Sequence, residues 1–154
     1  MSDAPTISER PLPEPDERSA PYWDAARRHE LVIARCSRCD TSTMPPADVC
    51  PSCASTDPAF TWVPVSGRGT VRSWTTVRQS FLPGFEVPFV LVDVELDDAP
   101  DVRLIGRLLD GPDAALHQGD PVTVAFEDLT GDLSVPAFTV AGATHPNGGE
   151  RTES

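Results

Sequence analysis

The residues best suited to chemistry in this chain are four cysteines. They are arranged as Cys36-Ser37-Arg38-Cys39 and, after ten intervening residues, Cys50-Pro51-Ser52-Cys53. A C-x-x-C turn aims two thiolates at one point, so two such turns supply four sulfurs at the corners of a tetrahedron. That donor set describes a closed structural zinc site with no open position for a substrate. The gap is shorter than the roughly 15–20 residues of the commonest two-knuckle pattern, but it suits a zinc ribbon. Two other chemistries use the same residues. A rubredoxin-like iron centre takes the same four sulfurs, and spacing alone does not separate the metals. Two redox disulfides would need a thioredoxin-like βαβ context, which the flanking sequence lacks.

With the cysteines committed to a metal, little catalytic equipment remains. His29 sits at a helix end, His117 in a Leu-His-Gln-Gly turn and His145 in the C-terminal segment, and all three are expected in solvent. No nucleophile motif, glycine-rich phosphate loop or H-E-x-x-H occurs. All 12 basic residues are arginine, so Schiff-base lysines and the P-loop lysine are excluded. Against them stand 24 acids, for a formal charge of −12. Phosphate-backbone binding needs clustered cations, so a single-stranded nucleic-acid binder is disfavoured. No catalytic residue is expected here; the chain reads as a binding or assembly module.

One loop stands apart from the polar background. Phe81-Leu82-Pro83-Gly84-Phe85-Glu86-Val87-Pro88-Phe89 places three of the six phenylalanines in nine residues, just after Trp74 and Arg78. Loops lie on surfaces, so these rings either plug the end of the fold or face a partner protein or an acyl chain. Arg78, Phe81, Phe85 and Phe89 are therefore the candidate contacts for a partner or substrate.

The elements that must position these residues follow from pattern. Residues 1–19 are proline-rich and charged and are expected as a disordered arm, and 141–154 as a disordered tail. Ser19-Ala20-Pro21 opens a helix, with Ser19 as N-cap and Asp24 near the positive end, running to about His29. Leu31–Arg35 is a short strand leading into Cys36. From Trp62 the pattern turns to strands: Thr70–Arg78, Phe89–Leu96, Val102–Leu109, Pro121–Glu127 and Val135–Val140. Asp97–Asp101 reads as a hairpin loop and Gly111–Leu116 as one helical turn. The fold predicted is mainly β: a helix and rubredoxin-like zinc ribbon over 20–60, then a five-stranded OB-fold barrel over 61–140. Val92, Val94, Val122, Val124 and Phe126 are its expected plug. No apolar run reaches the roughly 18 residues of a membrane span, and the N-terminus has no signal-peptide core, so a cytoplasmic protein is expected.

Taken together, these segments resemble a known family. Tyr22-Trp23-Asp24-Ala25-Ala26-Arg27-Arg28 precedes Leu31-Val32-Ile33-Ala34-Arg35-Cys36, the knuckle pair follows, and then Trp62–Val71 and Val87-Pro88-Phe89. Over roughly residues 20–140 this is similar to the DUF35 family of zinc-ribbon plus OB-fold proteins. The resemblance implies a structural zinc and a small acyl-CoA-associated subunit. Its implied partner is a thiolase-like chain of the lipid-transfer-protein type, including retro-aldolases that shorten steroid side chains, or a MaoC-type hydratase. That partner, expected as a separate chain, would carry the catalytic residues, while this subunit helps shape the CoA-thioester site. The favoured reaction is retro-aldol cleavage of a β-hydroxyacyl-CoA, with thiolysis or acyl transfer next.

Overall fold

The structure, a computed structural model, describes residues 10–56 and 59–141. Among the described residues eight strands form two sheets, and one helix packs against them. The first contains β1 (Leu31–Cys36), β2 (Ser42–Thr43) and β3 (Phe60–Val65) in the order β2-β1-β3. Sequence pattern assigns Trp62 to the barrel segment, but β3 pairs with β1 along its whole length, from Leu31 opposite Val65 to Cys36 opposite Phe60. The first sheet thus extends to Val65.

Helix α1 (Ala20–Arg27) buries Tyr22, Ala25 and Ala26, and Tyr22 packs edge-on to Trp23 and tilted against Trp62. Burial pushes the Tyr22 phenol up to about 12. Ser19 is the N-cap residue and Pro21 lies in the first turn, as expected, but the details of both ends differ. Ser19 does not cap α1 through its side chain. Instead Asp16 Oδ1 accepts the Ser19 amide at 2.8 Å while Ser19 Oγ accepts the Asp16 amide at 3.1 Å. This reciprocal pair is a capping box one turn earlier, and it lowers the Asp16 pKa through the Ser19 hydroxyl. Asp24 lies too far along α1 to meet its positive end, and it pairs with Arg27 at 3.7 Å. The helix stops at Arg27 because His29 adopts φ 61°. The Glu30 amide then bonds Ala25 O at 2.9 Å and the His29 amide bonds Ala26 O at 2.8 Å. That is a Schellman stop with histidine in the place glycine usually takes.

The second sheet contains β4 (Arg68–Val77), β5 (Phe89–Leu96), β6 (Ala99–Arg107), β7 (Pro121–Thr130) and β8 (Leu133–Val140) in the order β6-β5-β4-β7-β8. A parallel bridge from Leu108 to Phe138, with the Leu109 amide on Phe138 O at 2.8 Å, brings its two ends together into a nearly closed barrel. β5 shows the period-2 burial of its sequence: Val90, Val92, Val94 and Leu96 are buried and the alternate residues are not. Val71, Leu108, Val122 and Phe138 complete the interior. Val124 and Phe126, expected in the plug, are only partly buried at its margin. The aromatic that fills the barrel is Phe138. Gly67, at φ 85°, turns the chain from one sheet to the other, and a Cβ there would lie 2.2 Å from Val124 Cγ1.

Gly111–Leu116 is not helical. The Asp120 carboxylate takes the His117 amide at 2.8 Å, and Gly119 and Asp120 exchange backbone bonds with Val71, so the segment is tied down as a loop. The expected hairpin loop Asp97–Asp101 shrinks because Ala99 is buried and already belongs to β6. Residues 10–19, expected to be disordered, are mostly exposed but touch the barrel at one end and the ribbon at the other. Arg10 pairs with Glu127 at 3.5 Å and Arg18 pairs with Asp48. Residues 1–9 and 142–154, the rest of the expected arm and tail, lie outside the described residues.

Two carboxylates on the barrel make its stability acid-sensitive. Asp93 is held below the usual carboxylate value chiefly by the Arg103 guanidinium, and Asp128 by the hydroxyl of Ser134 and then by His29. Each binds a proton less readily folded than at its ordinary 3.8, so protonation favours unfolding. The contribution is complete above that value and is lost as the pH falls below it. The urea midpoint is expected to drop as the pH falls from about 5 to about 2, and Asp93→Asn is expected to blunt the drop.

Candidate metal centre and aromatic loop

The four cysteines converge. Their Sγ atoms all lie within 4.8 Å of one another, with Cys36 to Cys53 at 4.0 Å and Cys39 to Cys50 at 3.6 Å. Each knuckle is built the same way. The Asp40 amide bonds Cys36 O at 2.8 Å, and the Ala54 amide bonds Cys50 O at 2.9 Å. The first cysteine's own amide bonds the carbonyl five residues on, at Thr41 and Ser55. Asp40 and Ala54, each just past the second cysteine, take φ 64° and 61° to close the turn. Backbone amides then point at sulfur: Arg38 N to Cys36 Sγ at 3.4 Å, and Ser52 N to Cys50 Sγ at 3.4 Å.

The electrostatics of the cluster call for a cation. A hydrogen bond with Thr41 holds the Cys39 thiol down to about 6, and backbone amides lower Cys50. The Ser55 amide also lowers Cys53, but desolvation and the three neighbouring sulfurs outweigh it and push that thiol up to about 11. Four thiolates this close repel one another unless a metal neutralises them. Cys36 and Cys50 are buried, and all four donors are sulfur, which suits a closed tetrahedral Zn²⁺ site. Bound there, zinc would cross-link the two knuckles and supply structure, with no ligand position left for chemistry.

The aromatic loop divides into two parts. Phe85 and Phe89 stack at 5.7 Å with an interplanar angle of 22°, and the Arg10 guanidinium covers Phe85 at 5.5 Å. With Gly84, Glu86 and Arg107 they line a cavity of about 260 Å³. Phe81 is 88% exposed, and Leu82 and Val87 are also exposed. Arg78 is exposed and has no ion pair among the described residues. The four residues singled out in the sequence are therefore not brought into one site. Arg10 and Arg107 were not legible as members of the cavity, because they reach it from other segments of the chain, before α1 and at the end of β6.

His29 is exposed, as expected, yet it also hydrogen-bonds Asp128 at 2.8 Å and stacks on Phe126 at 5.3 Å. Asp128 also accepts the Ser134 hydroxyl. The imidazole joins the end of α1 to the barrel, and this contact accounts for a histidine at a positive φ. His117 faces Asp120 at 3.6 Å and is exposed, and His145 lies outside the described residues.

Fold and centre define a zinc-ribbon and OB-fold protein, and comparison with known proteins supplies the family. Residues 23–59 match the rubredoxin-like zinc ribbon domain of ChsH2, and residues 62–127 match the ChsH2 C-terminal OB-fold domain. A chain of the solved structure described as "Ltp2-ChsH2(DUF35) aldolase" superposes with a TM-score of 0.72 at 32% identity, over 84% of this chain and 98% of that one. This chain belongs to the DUF35 family, with the ChsH2 arrangement of domains. A DUF35 structure from Sulfolobus solfataricus, 12% identical with a TM-score of 0.55, shares the fold. A probable enoyl-CoA hydratase alpha subunit of Thermomonospora curvata is 33% identical over 86% of this chain. The 3-oxo-4,17-pregnadiene-20-carboxyl-CoA hydratase alpha subunit of Mycobacterium tuberculosis is 34% identical over 76% of it. The chain spans 40% and 36% of the length of these two relatives. Among the described residues no helix is long and apolar enough to cross a membrane.

Proposed function

We propose that this chain is a non-catalytic, acyl-CoA-associated subunit of an aldolase, working with a thiolase-like partner that cleaves a β-hydroxyacyl-CoA of the steroid side-chain type. The observation that carries this reading is the match along 98% of a chain from an Ltp2-ChsH2 aldolase. The chemistry of the site agrees with it: four sulfurs are committed to a structural metal, and the apolar groups on the aromatic loop suit contact rather than catalysis. In the reaction proposed, a base on the partner removes the β-hydroxyl proton and the Cα–Cβ bond breaks. A carbonyl forms at Cβ, and the enolate left on the shortened acyl-CoA takes up a proton. This chain stabilises the partner and borders its CoA-thioester site through the exposed Arg78 and Phe81, while Phe85 and Phe89 hold the loop by stacking on each other.

The isolated chain is expected to release no ketone or aldehyde from a β-hydroxyacyl-CoA, and to restore or raise turnover when mixed with its Ltp2-type subunit. Robust cleavage by the isolated chain would refute the assignment. The names of the two curated relatives favour a second reading, an accessory part of an enoyl-CoA hydratase. Supplying the same complexes with an enoyl-CoA separates the two, since hydration consumes the double bond and leaves the carbon chain intact.

Within this reading Phe81 is the better anchor, because its ring is 88% exposed and stacks on no other ring among the described residues. Phe81→Ala is expected to weaken the complex by about 2 kcal/mol in a titration, with the melting temperature of the isolated chain unchanged. Phe85→Ala removes the stack on Phe89 and the Arg10 contact, so it is expected to lower that temperature as well.

A further inference from the structure

Strand edges expose unpaired N–H and C=O groups, and folded proteins blunt them with proline, very short strands or a covering element. Most edges here are treated in that way. The edge strand β3 carries Pro64, and β2 at the other side of that sheet is two residues long. β8 is joined to Leu108 and Leu109 through Phe138. An edge without such treatment is the outer half of β4. It pairs with β7 only from Arg68 to Thr70, and Val71 bonds Gly119 and Asp120. After a bulge at Arg72, Ser73–Val77 runs on in regular register with β5 alone. Among the described residues no backbone bond joins this stretch to anything on its other side. Ser73, Trp74 and Thr75 are exposed, and the stretch Ser-Trp-Thr-Thr-Val holds no proline, glycine or charge. It is a regular, open edge of β-favouring residues about 16 Å long.

We infer that Ser73–Val77 is a docking edge that takes an extended strand from the partner subunit into the barrel sheet. The inference rests on the function proposed above for the existence of that partner. Charge selects the occupant. Arg78, which has no ion pair among the described residues, stands at one end of the edge, while Arg72 at the other is already paired with Glu95 at 3.5 Å, so the incoming strand carries apolar or β-branched residues with an acid at the Arg78 end. A second copy of this chain is disfavoured. Pairing two copies would bring together two chains of −12 each, with no added cation in either edge to offset that charge. The same hairpin continues into exposed Phe81, Leu82 and Val87, so side-chain contacts extend from the backbone pairing.

Hydrogen exchange on the complex with the Ltp2-type subunit tests this. In the isolated chain, the amides of Ser73–Val77 that do not face β5 should exchange freely, and in the complex they should slow by about tenfold or more. Thr75→Pro and Thr76→Pro provide a second measurement, since neighbouring residues of a strand point their N–H groups to opposite sides. The variant that keeps the parent melting temperature has its N–H outward, and that variant should lose at least about tenfold in affinity. A complex that forms with these amides unprotected, and with normal binding by that variant, overturns the docking edge and leaves the proposed function standing. No complex at all overturns both. Protection that grows with concentration of the isolated chain would give the edge to a second copy and overturn the assignment to a partner.

Discussion

Cys50→Ala is expected to release the metal and unfold the ribbon. The Cys50 sulfur is buried, lies 3.6 Å from Cys39 Sγ and accepts amides from Ser52 and Cys53. Removing it leaves three sulfurs and an open position. Structural zinc binding is worth about 10–16 kcal/mol at neutral pH, which matches or exceeds the whole folding stability of a typical domain, about 5–15 kcal/mol. The ribbon between Cys36 and Cys53 has little apolar burial to replace it, since Ser37, Arg38, Pro51 and Ser52 are all at least partly exposed. Metal analysis should find one zinc per parent chain and less in the variant. Amide protection should vanish in 36–55 and persist in the barrel. Iron as the bound metal, or a ribbon equally protected without zinc, would refute this.

Phe138→Ala is expected to destabilise the barrel by about 3–5 kcal/mol, the usual cost of emptying a buried phenylalanine site. Phe138 is fully buried, opposes Val124 on β7 and lies where a Cβ on Gly106 would come within 3.0 Å of its ring. Its carbonyl also accepts the Leu109 amide in the bridge that closes the sheet. The space it leaves cannot collapse easily, because β6 and β8 are held there by backbone bonds. Urea unfolding checks the loss directly. A change under about 1 kcal/mol would mean that Phe138 does not plug the barrel.

The local features of this protein could be read from its sequence. The two knuckles are three-residue spacings that fix their own turns, so the ligand set Cys36, Cys39, Cys50 and Cys53 needed no tertiary information. Alternation fixed the buried face of β5 for the same reason: neighbouring side chains of a strand point to opposite sides. The order of the remaining strands gave the barrel.

Features that depend on pairing between distant segments were decided only in three dimensions. β3 has a strand pattern that fits either sheet, and it joined the ribbon because β1 needs a partner on that side. The helical turn expected at 111–116 lost to the bonds that tie Gly119 and Asp120 to Val71. Ser19 holds the N-cap position, but its side chain bonds back to Asp16 instead of into α1, because the path of the preceding residues brings Asp16 within reach. His29 was unremarkable until Phe126 and Asp128 arrived from the far side of the chain. The aromatic loop shows the same limit: its composition marked it as unusual, but not which rings would be covered. Arg10 and Arg107 cover Phe85 and Phe89 and leave Phe81 outside, and that choice belongs to packing between segments that sequence proximity does not connect.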